Sequence, residues 1–302
     1  MSYKRKVQNL LDILSCTYNP PGVPQLDRIK HLDTIRFIAF FTIYIKHQIC
    51  SLGYDPGKVL HYFGDAAGWY FLTLSGYLIT RSLIRDKSSD FWGEIRRFYQ
   101  HRILRIFPAY YLVMTVLLAV NFLPYPLLFY TFTYNFEIFA HARLDQYCHL
   151  WTICVQEQFY LIIPWIVLSC STRTTVSILC LMVISSPIIQ SIISSQFPGT
   201  LPNVLLCCAD KAMAIGCLIA FFEAKGPKVK PYMGTISFAI GIILMVIYGV
   251  RIGLIGESHS LILDISMACT IYGLATTRNK PLINTLSVQP LRYLGKISYM
   301  MY

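Results

Sequence analysis

Apolar stretches close to twenty residues long recur from residue 34 onward, separated by short segments that collect most of the charge. They run 34–53, 62–85, 104–123, 150–170, 174–193, 204–222, 231–250 and 259–276, and a ninth begins near 290. A helix rises 1.5 Å per residue, so about twenty residues cross the roughly 30 Å of hydrocarbon in a bilayer. The pattern predicts an all-α, polytopic transmembrane helix bundle. Residues 86–103 carry too much charge to span, yet they place Phe91, Trp92, Ile95, Phe98 and Tyr99 at helical spacing. That predicts a separate helix lying on the membrane surface. Residues 124–140 are aromatic, short for a span and contain Pro124 and Pro126. They predict a re-entrant segment whose backbone is satisfied by surrounding protein. Residues 1–33 read as a polar tail and 34–302 as one membrane domain.

Composition narrows the class. Of 302 residues, 55% are hydrophobic and 14% charged, where a soluble domain carries about a quarter charged. The formal net charge of +11 does not point to nucleic acid, because its placement alternates. With the N-terminus cytoplasmic, most of the 26 basic residues fall in cytoplasmic segments, including the dense run Arg81, Arg85, Lys87, Arg96, Arg97, Arg102 and Arg105. This is the positive-inside asymmetry, with anionic lipid or a phosphate-bearing co-substrate as a second use of the charge. Ten cysteines show no C-x-x-C spacing and read as small apolar residues rather than a disulfide framework or metal site. The first thirty residues lack an apolar core with a cleavage site, so the first span is expected to act as the insertion signal. Neither a phosphate-binding glycine loop nor a metal-binding histidine pattern occurs.

Ionisable residues inside spans are costly and mark candidate sites. Arg36 and His47 lie eleven residues apart, about 16 Å along a helix. With Arg36 at the cytoplasmic boundary, His47 falls near mid-membrane, where a neutral imidazole is suited to act as a general base. The alternative is a histidine bonded between packed helices; Lys46 beside it is expected to snorkel or pair. Glu157 lies about 12 Å below the outer surface by the same rise, a depth matching that of His47. Ser75-Gly76 sits mid-span, either as a packing motif or beside a ligand path. Arg97, His101, Arg102 and Arg105 surround the entry to the third span and are suited to phosphates or to lipid headgroups. Asp210 and Lys211 are expected to pair with each other or with a neighbour.

Together these segments resemble the acyltransferase family 3 membrane proteins, which include surface-polysaccharide O-acetylases and macrolide acyltransferases. The resemblance rests on Leu32, Asp33, Arg36 and His47; on Phe71, Ser75, Gly76, Tyr77, Leu78, Ile79 and Arg81; and on Arg102, Arg105, Ile106, Pro108 and Tyr110. It continues through His149, Trp151, Glu157, Gln158, Phe159 and Tyr160, and ends at Leu294, Gly295, Ile297, Ser298 and Tyr299. The chain departs from the family in having Gln156-Glu157 where two glutamates are common, and in stopping soon after Ser298-Tyr299. The resemblance implies a bundle of ten helices, of which about nine fall within a chain expected to be truncated at its C-terminus. It implies acyl-coenzyme A as a cytoplasmic co-substrate, no tightly bound cofactor, and a hydroxyl of an extracytoplasmic or lipid-linked glycan as acceptor. Location in a bacterial inner membrane follows. In this reading His47 and Glu157 are catalytic, and Arg36, Arg102, Arg105, Ser75 and Gly76 bind the coenzyme. His149, Trp151 and Tyr160 bind the acceptor. A transporter or flippase for a lipid-linked glycan, or an inactive truncated acyltransferase, are the alternatives.

Overall fold

The computed structural model describes residues 29–86, 90–142, 146–226, 230–255 and 261–301. The tail expected at 1–33 lies outside them except for its last residues, which open the first helix. The elements are α1 (Lys30–Ser51), α2 (Gly57–Asp86), α3 (Phe91–Ala119), α4 (Pro126–Tyr130), α5 (Tyr134–His141) and α6 (Trp151–Ser169). They continue as α7 (Thr172–Gln196), α8 (Leu206–Lys225), α9 (Pro231–Ile255), α10 (Leu261–Thr276), α11 (Lys280–Leu286) and α12 (Gln289–Met301). A 3-10 turn, Cys148–Leu150, leads into α6, and another, Pro202–Val204, precedes α8. No strand occurs among the described residues.

Among the described residues, four helices are long and apolar enough to cross a membrane: Phe91–Ala119, Cys148–Ser169, Thr172–Gln196 and Tyr232–Arg251. Leu261–Thr276 is apolar but shorter. The predicted spans at 34–53, 62–85 and 204–222 are helices too, but of a different character. They bury Asp33, Arg36, Lys46, Thr73, Thr80 and Asp210, which lowers their hydropathy. Such residues are tolerable in helices that face protein rather than lipid. The outer helices show the opposite pattern. On α7, Leu181, Ile184, Ile188 and Ile192 are exposed, and on α9, Ile236, Ile240, Ile243 and Ile247. Each set repeats every three to four residues and forms one apolar stripe.

The α2 helix is the centre of the bundle and packs against α1, α6, α8, α9 and α10. Its closest approach is to α8. A Cβ on Gly76 would run into the Met213 carbonyl, and one on Gly216 into the Thr73 carbonyl. Small residues let two helix backbones meet in this way. At one end of this pair Tyr77 donates to Glu223 Oε2 at 2.7 Å, and Arg81 Nε reaches the same oxygen at 3.2 Å. Between α8 and α10, Lys211 pairs with Asp264 at 2.8 Å. Lys211 therefore takes the neighbouring helix as partner rather than Asp210.

One expectation is corrected. The charged stretch 86–103 is not a separate surface helix: from Phe91 it is continuous with the following span as the single helix α3. Asp90 caps it by accepting from the Gly93 N–H at 2.9 Å, and Pro108 is carried inside it. Its charged half is held along α6, where Tyr99 donates to the Leu161 carbonyl at 3.0 Å and accepts from Trp165 Nε1 at 2.9 Å. The segment 124–140 forms α4 and α5. Tyr110 and Tyr111 of α3 donate to the Phe129 and Tyr130 carbonyls, both at 3.0 Å. Gln158 of α6 donates to the Phe132 carbonyl at 2.9 Å and to Asn135 at 3.0 Å. Side chains of the long helices thus satisfy carbonyls that an irregular segment leaves open.

Candidate active site

The α6 helix carries the candidate residues, and its neighbours supply the rest. Pairs along the chain fix directions. Lys46 of α1 binds Asp65 near the start of α2, so these helices run oppositely. The Trp69 and Trp151 rings meet at a tilt, centroids 5.6 Å apart, and further along Ser75 lies against the Tyr160 hydroxyl. The α2 and α6 helices therefore run the same way, and α1 runs against both.

At the N-terminal end of α6 is a histidine pair. The His47 and His149 rings lie 5.6 Å apart. The Cys148 thiol is 4.0 Å from His47 Nδ1. Lys46, Asp65 and His61 are close enough to act on the His47 ring electrostatically, and Asp65 joins Lys46 to His61, whose Nε2 is 3.4 Å from its second oxygen. The expected pairing of Lys46 is thus met by Asp65. Gly64 leaves room for it, since a Cβ there would overlap the present path of the Lys46 stem. No group of three or more histidine, cysteine or acidic side chains suited to a metal occurs among the described residues.

Further along α6 lies a second cluster. Glu157 Oε1 is buried without a hydrogen-bond partner among the described residues, and Arg102 is the opposite charge that acts on it. The Arg102 guanidinium lies over the Tyr160 ring at 5.2 Å and the Phe98 ring at 5.7 Å. Arg105 also acts on the Tyr160 hydroxyl, which donates to Gln156 Oε1 at 3.1 Å. Gln156 is fully buried, and its Nε2 lacks a partner among the described residues.

These placements change the depth argument. His47 is level with His149, not with Glu157, and eight residues of helix put Glu157 about 12 Å away along the axis. The discrepancy arises because depth was counted from assumed membrane boundaries, whereas the ring pair fixes it directly. The three arginines share a level. Arg36 is eleven residues from His47, and Tyr160, under Arg102, is eleven from His149. On antiparallel helices both intervals are about 16 Å, so Arg36, Arg102 and Arg105 stand at one level. Arg36 is buried and bound to Asp33 at 3.4 Å. Gly76 does not face an open path, because α8 backbone fills its side; Ser75, beside Tyr160, does face the cluster. The sequence reading missed Cys148 and the Lys46–Asp65–His61 chain. Nothing in spacing alone brings them to His47, although Cys148 adjoining His149 was a local hint.

Residues 29–302 match the family described as Acyltransferase domain. The chain belongs to this acyltransferase family. The matched span holds every residue of both clusters, including the arginine level and the histidine pair. O-acetyltransferase OatA of Staphylococcus aureus (strain NCTC 8325 / PS 47) is 24% identical over 325 residues, covering 94% of this chain and 50% of its own. Peptidoglycan O-acetyltransferase OatA of Listeria monocytogenes is 24% identical over 322 residues, with 94% and 49% covered. The putative peptidoglycan O-acetyltransferase YrhL of Bacillus subtilis (strain 168) is 26% identical over 275 residues, with 77% and 42% covered. The chain thus spans about half the length of these curated relatives. No solved structure matches it. Family membership and the four spanning-length apolar helices mark a membrane-associated, multi-pass protein.

Proposed function

We propose that this chain is a membrane O-acyltransferase that moves an acetyl group from cytoplasmic acetyl-coenzyme A to a sugar hydroxyl of an extracytoplasmic or lipid-linked glycan; the names of its relatives, O-acetyltransferases, support the acetyl group. The observation that carries the reading is the axial separation, along α6, of a level of arginines from a histidine pair. Arg36, Arg102 and Arg105 stand at one end and His47 with His149 about 16 Å away. The positive-inside rule places the arginine end, and the N-terminus, in the cytoplasm.

The division of labour follows from charge and distance. Arginines at the cytoplasmic end hold the coenzyme phosphates through charge-assisted contacts. The arm carrying the thioester extends along α6 past Ser75 and Tyr160. At the other end His47 takes the proton of the acceptor hydroxyl, and His149 and Trp151 line the acceptor side. Glu157, buried beside Arg102, orients the middle of the path. The Gln156 amide oxygen accepts from the Tyr160 hydroxyl and fixes that group beside the middle of the path. Nine helices of spanning register, from α1 to α12 with the short ones omitted, form the bundle in this reading.

The test is transfer of label from radiolabelled acetyl-coenzyme A in inverted membrane vesicles, with the parent chain and a His47→Ala variant. Label should enter glycan or lipid with the parent and fall roughly 10²- to 10⁴-fold in the variant, the range expected for loss of a general base. Full transfer by a normally inserted His47→Ala chain would remove the base assignment. Absence of transfer by the parent, with its natural membrane as acceptor source, would remove the acetyltransferase reading.

A further inference from the structure

The thiol beside the histidine has no part in a direct transfer. Cys148 is 8% exposed, its Sγ is 4.0 Å from His47 Nδ1, and its neighbour His149 faces the same ring. It is also the first residue of the turn that opens into α6. There the positive end of the helix favours a thiolate. A cysteine within reach of an imidazole is the arrangement that activates a nucleophile for acyl transfer. Other buried thiols lack this setting: Cys217, for example, points to the Gly76 carbonyl within the α2–α8 contact.

We propose that Cys148 is an acyl-carrying nucleophile, so that transfer passes through a Cys148 thioester rather than directly from coenzyme to sugar. The proposal rests on the acyl-transfer reading above. In the first half-reaction His47 Nδ1 takes the Cys148 S–H proton and the thiolate attacks the acetyl carbonyl carbon. The bond from that carbon to the coenzyme sulfur breaks, and the departing thiolate receives the proton from His47. In the second half-reaction His47 takes the acceptor O–H proton and the sugar oxygen attacks the same carbon. The carbon–Sγ bond breaks and His47 returns the proton to Cys148. The first step exchanges one thioester for another and the second makes an ester from a thioester, so no further reactant is needed. One base at one position serves both steps. The acyl group waits at the acceptor end while the coenzyme leaves from the arginine end, about 18 Å away along α6.

The experiment incubates the full chain, in vesicles or detergent, with radiolabelled acetyl-coenzyme A and no acceptor, then measures label on the denatured protein. The expected result is label released by neutral hydroxylamine, mapped to the peptide containing Cys148 and discharged when acceptor membranes are added. Cys148→Ala should lose the label and reduce transfer to background. Cys148→Ser, which keeps size and polarity, should either lose it or hold it as an ester that resists hydroxylamine. If the parent transfers acetyl but carries no label at Cys148, or if Cys148→Ala elutes like the parent and transfers at its rate, the thioester is overturned and the acetyltransferase reading stands. If the parent neither transfers nor labels, that reading fails and the thioester with it.

Discussion

At the residue scale, the Arg102–Glu157 cluster makes two separable predictions. Arg102 lies over the Tyr160 ring and near Glu157, so removing it should weaken coenzyme binding rather than the chemistry. Arg102→Ala is expected to raise KM for acetyl-coenzyme A by roughly 10- to 100-fold, equivalent to a charge-assisted contact worth about 1.5–3 kcal/mol. Arg102→Lys should recover only part of this, because a lysine ammonium cannot offer the forked donors of a guanidinium. Steady-state kinetics in vesicles reads both. A kcat effect with unchanged KM would move Arg102 out of the binding role. Glu157→Gln keeps the volume and removes the charge. It is expected to lower kcat with little change in KM, and an unchanged kcat would assign Glu157 to packing alone.

At the scale of elements, the α2–α8 contact sets how precisely everything on α2 is held. The two glycines meet carbonyls of the opposing helix, not flexible side chains, so neither neighbour can give way cheaply. Gly76→Val or Gly216→Val should destabilise the folded chain by more than the roughly 1–3 kcal/mol of ordinary core overpacking. A lowered unfolding temperature in detergent, with poor recovery from membranes, is the expected observation. A variant with parental stability would show that α8 can shift away. A second close approach, of Gly295 in α12 to the Asp33 carbonyl in α1, explains why two distant motif pieces belong together. Leucine-aspartate at 32–33 and leucine-glycine at 294–295 are one packing contact.

At the scale of the whole molecule, the prediction concerns sidedness. The arginine end should be cytoplasmic and the α7–α8 turn around Gly199 outside. With exposed Cys50, Cys180 and Cys207 replaced by serine, a cysteine introduced at Gly199 should react with a membrane-impermeant maleimide in intact cells. One introduced at Ser171 should react only after permeabilisation. The reverse pattern would invert the bundle and put the donor site on the wrong side for acyl-coenzyme A.

The helices were legible in the sequence because membrane insertion writes their length and apolarity directly into the chain, and each of the predicted spans is a helix. Distinguishing lipid-facing from buried helices was harder, because the buried ones carry polar residues whose partners lie on other helices, as Lys46 with Asp65 and Lys211 with Asp264 show. The boundary at 103 failed because charge along one face of α3 does not stop a helix whose other face is covered by α6. What the sequence determined by itself was the helical, membrane-borne class and the residue types available for chemistry. Only the tertiary structure decided that His47 meets His149 and Cys148 while Glu157 stands two turns away, because one-dimensional spacing fixes height along a helix but not which neighbour turns toward it.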